Sequence, residues 1–228
     1  MKQDALTNTI DRLARPLAAR TPGLKWLRRE ATRDTPEFNL AYVRTRPEGP
    51  PAGPAGVPAV IVPGGPGLAS VFPYRGLRRL AAKDGLDVIM VEHRGVGLSR
   101  EDLNGTPLPR SAMWIDLVLN DIAAALDAEN VERAFIAGSS YGSYLASAFA
   151  TKYPHRVEGL LLDSALQSTK DLSVERRSVR DLLWDGDTRA AELIRDLTVA
   201  GADQRVLLDA TRAAYELSGL ALVEKLLS

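Results

Sequence analysis

A serine that is separated from a glycine on each side by one intervening residue can act as a nucleophile where a strand turns into a helix. The segment Gly138–Gly142 has this pattern, with Ser140 at its centre. An apolar run of strand type precedes the segment and a helical run follows it, which is typical of a nucleophile elbow. Because such a turn strains the serine backbone and raises its hydroxyl above the sheet, Ser140 is the candidate nucleophile.

The residues around Ser140 are expected to allow the sharp turn and to bind an oxyanion. A Cβ atom at Gly138 or Gly142 would collide with the neighbouring strand or helix, so both positions are expected to need glycine. The amide of Tyr141, the first of the predicted helix, has no intrahelical acceptor. We therefore expect this amide to bind the oxyanion that forms when the serine attacks a carbonyl.

A second glycine-rich loop follows another predicted strand. The apolar segment Ala59–Val62 ends in Pro63–Gly67, which reads Pro-Gly-Gly-Pro-Gly. Consecutive glycines let backbone N–H groups approach a substrate carbonyl closely. A third loop, Glu92–Ser99, follows the apolar run Leu86–Val91. In an α/β sheet, loops that follow strands gather at one edge, where the active site lies.

The three loops together resemble the proline iminopeptidase family of the α/β-hydrolases, over roughly Phe38 to Ser164. Pro63–Gly67 is similar to the His-Gly-Gly-Pro-Gly loop of that family, with Pro63 where histidine is usual. Glu92–Ser99 is similar to its Asp-Gln-Arg-Gly-x-Gly-x-Ser segment. The resemblance implies an α/β-hydrolase fold, in which a mostly parallel sheet carries helices on both faces, and a serine aminopeptidase that releases N-terminal residues.

The resemblance also assigns roles within the loops. It implies that Gly65 supplies the second oxyanion amide. Arg94 is expected to brace neighbouring loops, since its planar fork can bond several carbonyls at once. The other residues expected to shape the motifs are Gly64, Pro66, Gly67 and Gly95. No cofactor and no metal ion is expected.

A serine nucleophile needs a base, and an acid to orient that base, and in this fold both follow the serine in the chain. The chain has two histidines, His93 and His155. His93 precedes Ser140, and a helix of about 12 residues would carry His155 roughly 18 Å away from the serine. Asp163 ends a predicted strand, and we expect no catalytic role for it. The acid, the base and the last strands of the fold are therefore expected in sequence beyond residue 228, so the chain would be C-terminally truncated.

Strands and helices alternate up to residue 168, and the remaining segments are all helical. We therefore predict an α/β-hydrolase core over residues 1–168 and an incomplete helical cap over 169–228. Strands are predicted over Leu24–Thr32, Phe38–Thr45, Ala59–Val62, Leu86–Val91, Ala134–Ala137 and Val157–Leu162. The first two are expected to form an antiparallel hairpin. Helices are predicted over Asp4–Leu17, Val71–Ala82, Ser111–Glu129, Ser143–Lys152, Ser173–Trp184, Asp187–Val199, Asp203–Ser218 and Ala221–Leu227. Asp187 and Asp203 are the expected N-caps of their helices.

Composition excludes several classes of protein. Basic and acidic residues both number 29, and this balance argues against a nucleic-acid or membrane partner bound through bulk charge. The absence of cysteine excludes disulfides and thiol catalysis. The sequence offers no signal core and no apolar stretch that could span a bilayer, so the expected location is the cytoplasm. The expected partner is a peptide or a small amide or ester substrate, and an unpaired apolar edge at Val157–Leu162 favours self-association.

Two functions remain open. The first is a serine hydrolase of the proline iminopeptidase type, with ester hydrolysis as a close variant, since the fold and the elbow do not select the substrate. The second is a catalytically incomplete hydrolase-fold protein that lacks the acid and the base and acts as a binding scaffold or is a remnant. The coding sequence beyond residue 228 distinguishes them.

Overall fold

The computed structural model describes residues 16–52, 56–166, 168 and 170–228. The chain divides into two compact units, residues 1–167 and residues 168–228. The first unit contains a six-stranded sheet and the second is helical. None of the helices in the described ranges is long and apolar enough to cross a membrane.

The sheet of the first unit is mostly parallel, as the sequence predicts. Its strands are β1 (Leu24–Arg29), β2 (Phe38–Thr45), β3 (Ala59–Val62), β4 (Val88–Val91), β5 (Ala134–Ser139) and β6 (Val157–Asp163). Their order across the sheet is β1-β2-β4-β3-β5-β6. Strands β1 and β2 form the predicted antiparallel hairpin, with Leu24 opposite Val43, and β2 is also antiparallel to β4. The pairs β3–β4, β3–β5 and β5–β6 are parallel.

Helices lie on both faces of the sheet because successive strand side chains point to opposite faces. The helices of this unit are α1 (Arg75–Lys83), α2 (Ile115–Ala128) and α3 (Tyr141–Lys152). Val60 and Ile136 belong to an apolar cluster that includes residues of α2 and α3. Ile61 and Met90 belong to a second cluster, which includes Ala81 of α1. Each face of the sheet is thus covered by its own helices.

Two predicted helix boundaries differ from the observed ones. Helix α1 begins at Arg75 rather than Val71, and the Val71 amide donates to the carboxylate of Glu92 at 2.8 Å. A 3₁₀ turn over Arg110–Met113 precedes α2, so that helix starts later than predicted. The predicted helix Asp4–Leu17 lies almost wholly outside the described residues, of which 16–18 are helical.

The second unit contains α4 (Asp171–Arg180), a π-helical turn (Asp181–Asp185), α5 (Arg189–Val199) and α6 (Gln204–Leu227). The Asp203 carboxylate caps α6 as predicted, accepting from the amides of the first turn. The prediction for Asp187 is wrong, because the Thr188 hydroxyl caps α5 by accepting from the Ala191 amide at 3.0 Å. Helix α6 is interrupted at Ser218 and Gly219, where the sequence predicts a boundary between two helices.

A buried ion network, which the sequence does not reveal, joins β1, β2 and the end of α2. Arg44 bonds Asp87 at 2.6 Å and Glu129 at 3.2 Å. Glu129 also accepts from Lys25 at 2.6 Å and from the Tyr42 hydroxyl at 3.0 Å. Burial acts to raise the pKa of Glu129, but these hydrogen bonds outweigh it and hold that pKa below its ordinary value. Burial, followed by the bond to Glu129, raises the pKa of Tyr42 to about 12.

We expect the substitution Glu129→Gln to destabilise the protein by about 3 kcal/mol at neutral pH, because it leaves Arg44 partly unpaired in a buried site. A carboxylate whose pKa is lowered by folding stabilises the protein fully at pH values above its ordinary pKa of about 4.3. This stabilisation is lost as the pH falls through the pKa of the folded state. The difference in stability between wild-type protein and Glu129→Gln should therefore become smaller at acidic pH. Urea unfolding at neutral pH and near pH 4 measures both effects. The exposed neighbour Glu132→Gln is the control, and an equal loss in both variants would contradict the expectation.

Candidate active site

Ser140 lies on a sharp turn between a strand and a helix. Strand β5 ends at Ser139, α3 begins at Tyr141, and Ser140 between them has φ 51° and ψ −120°. A non-glycine residue with positive φ is strained and persists where the surroundings hold it. Here the Ser140 amide donates to the Asp163 carbonyl at 2.9 Å. The Ser140 carbonyl accepts from the amide and the hydroxyl of Ser143, at 2.9 and 2.5 Å.

The two glycines of the elbow allow backbone segments to approach one another closely. A Cβ atom on Gly138 would collide with the carbonyl oxygen of Gly142. One on Gly142 would collide with the carbonyl oxygens of Val62 and Pro63, at the end of β3. The sharp turn and the close contact of α3 with β3 therefore both depend on glycine at these positions.

The glycine-rich loop after β3 lies beside the serine. A Cβ atom built on Gly64 would lie 3.3 Å from the Ser140 Cβ and 3.9 Å from its Oγ. Gly65 has φ +137° and Gly67 has φ +101°, backbone conformations that favour glycine. A Cβ on Gly65 would lie 2.8 Å from the Gly67 amide nitrogen, and Pro66 follows Gly65 through a cis peptide bond. The structure thus brings Gly64 and Ser140 together, two residues that are far apart in the sequence.

A small cavity connects the three loops. Gly64, His93 and Tyr141 all line it, together with apolar side chains that include Leu145. Its volume is about 30 Å³, which holds one or two water molecules. The three loops singled out by the sequence therefore meet at one edge of the sheet.

Arg94 braces this edge, but through a partner that differs from the expected one. Its guanidinium makes two 2.7 Å bonds to the carboxylate of Asp121 on α2. It bonds one carbonyl, that of Ala112 at 3.2 Å, rather than several, and it lies 5.1 Å from the ring centre of Phe38. Gly95, at φ +76°, donates its amide to the Ser99 carbonyl at 2.9 Å and closes the loop.

Glu92 fastens the segment that follows the glycine-rich loop to the loop Glu92–Ser99, a role that the sequence analysis missed. One carboxylate oxygen accepts from the amides of Ser70 and Val71 at 2.5 and 2.8 Å. The other accepts from the Leu98 amide at 3.2 Å. The available signal was an acidic residue directly after a buried apolar strand, where an unpaired charge would be costly.

Arg78, on α1, holds the same segment after the glycine-rich loop and was also missed. Its side chain is buried and donates to the carbonyl oxygens of Ser70 and Val71, at 3.0 and 2.6 Å. Burial lowers the pKa of Arg78 to about 10, so the guanidinium stays charged at neutral pH. The chain that follows the glycine-rich loop is thus bonded by Glu92 through its amides and by Arg78 through its carbonyls.

The two histidines lie in different surroundings. His93 Nδ1 lies 2.6 Å from the Arg94 carbonyl oxygen, so this nitrogen carries the proton and donates it. The buried Nε2 has no hydrogen-bond partner among the described residues. Burial lowers the pKa of His93, so its ring is neutral at pH 7. His155 is exposed just beyond the far end of α3, with its ring against the edge of Tyr153.

Asp163 has a partner that accounts for its position. Its carboxylate accepts from the Ser139 hydroxyl at 2.9 Å, so the side chain before Ser140 is directed to β6. In the described part of the chain, no group of three or more His, Cys, Asp or Glu side chains is placed to hold a metal ion.

Comparison with known proteins agrees with this architecture. A family model for the alpha/beta hydrolase fold matches residues 57–225. The proline iminopeptidase of Neisseria meningitidis is 32% identical over 109 residues, which are 48% of this chain and 33% of the relative. That of Heyndrickxia coagulans is 31% identical over 110 residues, which are 48% of this chain and 35% of the relative. The crystal structure of proline iminopeptidase from Mycobacterium smegmatis superposes with a TM-score of 0.58 at 22% identity, over 84% of this chain and 60% of that chain.

These findings confirm the resemblance to proline iminopeptidases. The matched segment spans about a third of the length of the curated relatives. The likeness to the solved structure, at 22% identity, concerns the fold. Because the family model matches well over half of the residues, the chain belongs to the α/β-hydrolase fold family.

Proposed function

We propose that Ser140 is the nucleophile of a serine hydrolase that removes N-terminal residues from peptides. The observation that carries this proposal is the backbone of Ser140, held at positive φ at the start of a helix with the glycine-rich loop beside its Oγ. A strained turn of this kind is maintained by many contacts and is most common at functional sites. A structural serine in an ordinary turn would have no need of it.

In the proposed reaction the Ser140 Oγ attacks the carbonyl carbon of the scissile bond and loses its proton to a base. The negative charge on the carbonyl oxygen is stabilised by the amides of Gly65 and Tyr141. The base then gives the proton to the leaving amine, and a water molecule hydrolyses the acyl-enzyme. Neither histidine is bonded to Ser140: His93 Nε2 has no hydrogen-bond partner among the described residues, and His155 lies beyond the far end of α3.

The proposed substrate class follows from the relatives, which are named proline iminopeptidases. We propose that the helical unit, residues 168–228, forms part of a cap for this substrate. The test is turnover by the full-length protein of a prolyl amide, the matching prolyl ester and an N-acetylated prolyl amide. Hydrolysis of the free amide but not of the acetylated one is expected. Equal turnover of both amides would contradict an aminopeptidase, and turnover of the ester alone would indicate an esterase.

The oxyanion role of Gly65 gives a separate prediction. Gly65→Val places a Cβ atom 2.8 Å from the Gly67 amide nitrogen, so the loop must shift. Since loss of one oxyanion donor lowers the rate by about 10²–10³, we expect a decrease in kcat of that size, which exceeds the effect on stability. The control is Gly76→Val on α1, where a Cβ atom meets open space. An unchanged kcat in a folded Gly65→Val protein would refute the role.

The placement of the histidines favours a second candidate function, a hydrolase-fold scaffold without catalysis. A serine without a base is a poor nucleophile at neutral pH. The coding sequence beyond residue 228 separates the two candidates. A further strand followed by an acid and another followed by histidine would support the hydrolase, whereas a stop codon there would support the scaffold.

A further inference from the structure

The side chain of Ser143 is fully buried on the first turn of α3 and makes two hydrogen bonds. Its hydroxyl donates to the Ser140 carbonyl oxygen at 2.5 Å and accepts from the Leu166 amide at 2.8 Å. A carbonyl oxygen can only accept and an amide N–H can only donate, so the direction of both bonds is fixed. The hydroxyl proton of Ser143 is therefore directed at the carbonyl of Ser140.

The bond to the Ser140 carbonyl also determines the direction of the Tyr141 amide. The two groups belong to one planar peptide unit, and the peptide bond between these residues is trans. In a trans unit the C=O and the N–H point in opposite directions, so a bond that holds one of them also aims the other. The Tyr141 amide begins α3 and has no acceptor within the helix, which leaves it available to an oxyanion.

We propose that Ser143 is a positioning residue of the oxyanion hole, which aims the Tyr141 amide and makes it a stronger donor. This inference rests on the proposed function, in which that amide stabilises the oxyanion. A hydrogen bond to the carbonyl polarises the peptide unit, and the bonds of such a chain strengthen one another. The chain runs from the Leu166 amide through the Ser143 hydroxyl and the Ser140 carbonyl to the Tyr141 N–H.

The hydroxyl adds to a restraint that the backbone supplies only in part. The Ser143 amide bonds the same carbonyl at 2.9 Å, so a variant without the hydroxyl keeps one of the two bonds. Ser140 has positive φ, a strained conformation that persists only where the surroundings hold it. Loss of the hydroxyl should therefore let the Ser140–Tyr141 peptide unit rotate away from the best direction without unfolding the helix.

The first test is steady-state turnover of a prolyl amide by the full-length protein carrying Ser143→Ala. Misplacement of a group by about 1 Å can cost 10² in rate, and complete loss of an oxyanion donor costs about 10²–10³. We therefore expect kcat to fall by about 10- to 100-fold with KM little changed. Ser143→Thr, whose hydroxyl can still bond the carbonyl three residues earlier, should recover most of the rate.

Ser147→Ala is the matched control. Ser147 lies one turn further along α3, and its hydroxyl is also buried but has no hydrogen-bond partner among the described residues. The control removes the same atom from the same helix without touching the chain of bonds. Its kcat and KM should stay near those of wild-type protein.

The second test is the rate at which a small fluorophosphonate labels the full-length protein. The phosphonyl oxygen occupies the position of the oxyanion, but the reagent offers no peptide for a cap to bind. Labelling of Ser143→Ala should therefore slow by about the same factor as kcat. If the substitution acted through substrate binding instead, turnover would fall and labelling would not.

The third test needs no variant, so it applies even if Ser143→Ala fails to fold. It is amide hydrogen exchange of wild-type protein before and after complete phosphonylation. Because the phosphonyl oxygen would bond the Tyr141 amide at the end of the chain, exchange at Leu166 should become slower. The control is the Ala191 amide of the helical unit, which bonds the Thr188 hydroxyl at 3.0 Å, and that hydroxyl donates to the Leu182 carbonyl at 2.7 Å.

Four results would overturn the proposal: equal kcat in Ser143→Ala and Ser147→Ala, unchanged labelling in Ser143→Ala, a Ser143→Thr protein that folds but is as slow as Ser143→Ala, or exchange that slows at Leu166 no more than at Ala191. Ser140→Ala, measured beside these variants, separates this inference from the proposed function. Wild-type turnover in Ser140→Ala would remove both. An inactive Ser140→Ala with any of the four results would remove this inference alone.

Discussion

The substitution Ser140→Ala is expected to lower kcat of the full-length protein by several orders of magnitude, on the order of 10⁴ to 10⁶. The reason is that the hydroxyl is the atom that forms the acyl-enzyme, and no neighbouring group replaces it. Substrate binding and folding should remain, because the backbone of Ser140 is held by the Asp163 carbonyl and by Ser143. Steady-state turnover of a prolyl amide gives kcat and KM, and the unfolding temperature reports on folding.

Ser139→Ala is the matched control for this experiment. Its hydroxyl donates to the Asp163 carboxylate at 2.9 Å and is directed away from the glycine-rich loop. Loss of one such hydrogen bond is expected to change the rate by less than about tenfold. Wild-type turnover in Ser140→Ala, or an equal loss in Ser139→Ala, would be incompatible with Ser140 as the nucleophile.

The second large effect concerns residues 1–228 on their own. We expect turnover of amino-acid amides and esters by this chain to be orders of magnitude below the median enzyme rate of about 10 s⁻¹. An unassisted serine hydroxyl is protonated at neutral pH and attacks slowly. His155 lies beyond the far end of α3, and the lone pair of His93 Nε2 has no partner among the described residues.

The measurement for this second prediction is turnover by purified residues 1–228 and by the variant His93→Gln. Equal, negligible rates in both are expected. A rate near 10 s⁻¹ that is lost in His93→Gln would assign the base to His93. Burial lowers the pKa of His93. Activity that depends on neutral His93 would therefore persist at a pH below the ordinary pKa of histidine, and would be lost only when the pH falls below the lowered pKa of the folded protein.

The elbow could be predicted from the sequence because its requirements are local and steric. Gly138 and Gly142 are four residues apart, and the strand and helix that meet there have their own periodic patterns. The hairpin and the parallel strands could also be predicted, since each depends on runs of a few residues. Asp187 shows the limit of this approach, because the cap is the next residue, Thr188, and either type can cap a helix.

The residues that hold the loops together could not be predicted, because their partners are distant in the sequence. Glu92 bonds amides 21 and 22 residues earlier, and Arg44 bonds Asp87, 43 residues later. Because these residues are charged, reasoning from the sequence predicts that they are exposed. Only the assembled sheet shows that they are buried and paired.

The most direct test of Ser140 as the nucleophile is to treat the full-length protein with a fluorophosphonate and to locate the modified residue by mass spectrometry. The phosphorus atom takes the place of the carbonyl carbon, so the label marks the oxygen that attacks. We predict one phosphonyl group per chain, on Ser140, with loss of turnover in proportion to labelling and no label in Ser140→Ala. A label on another residue that abolishes turnover, or full activity with Ser140 modified, would contradict the assignment.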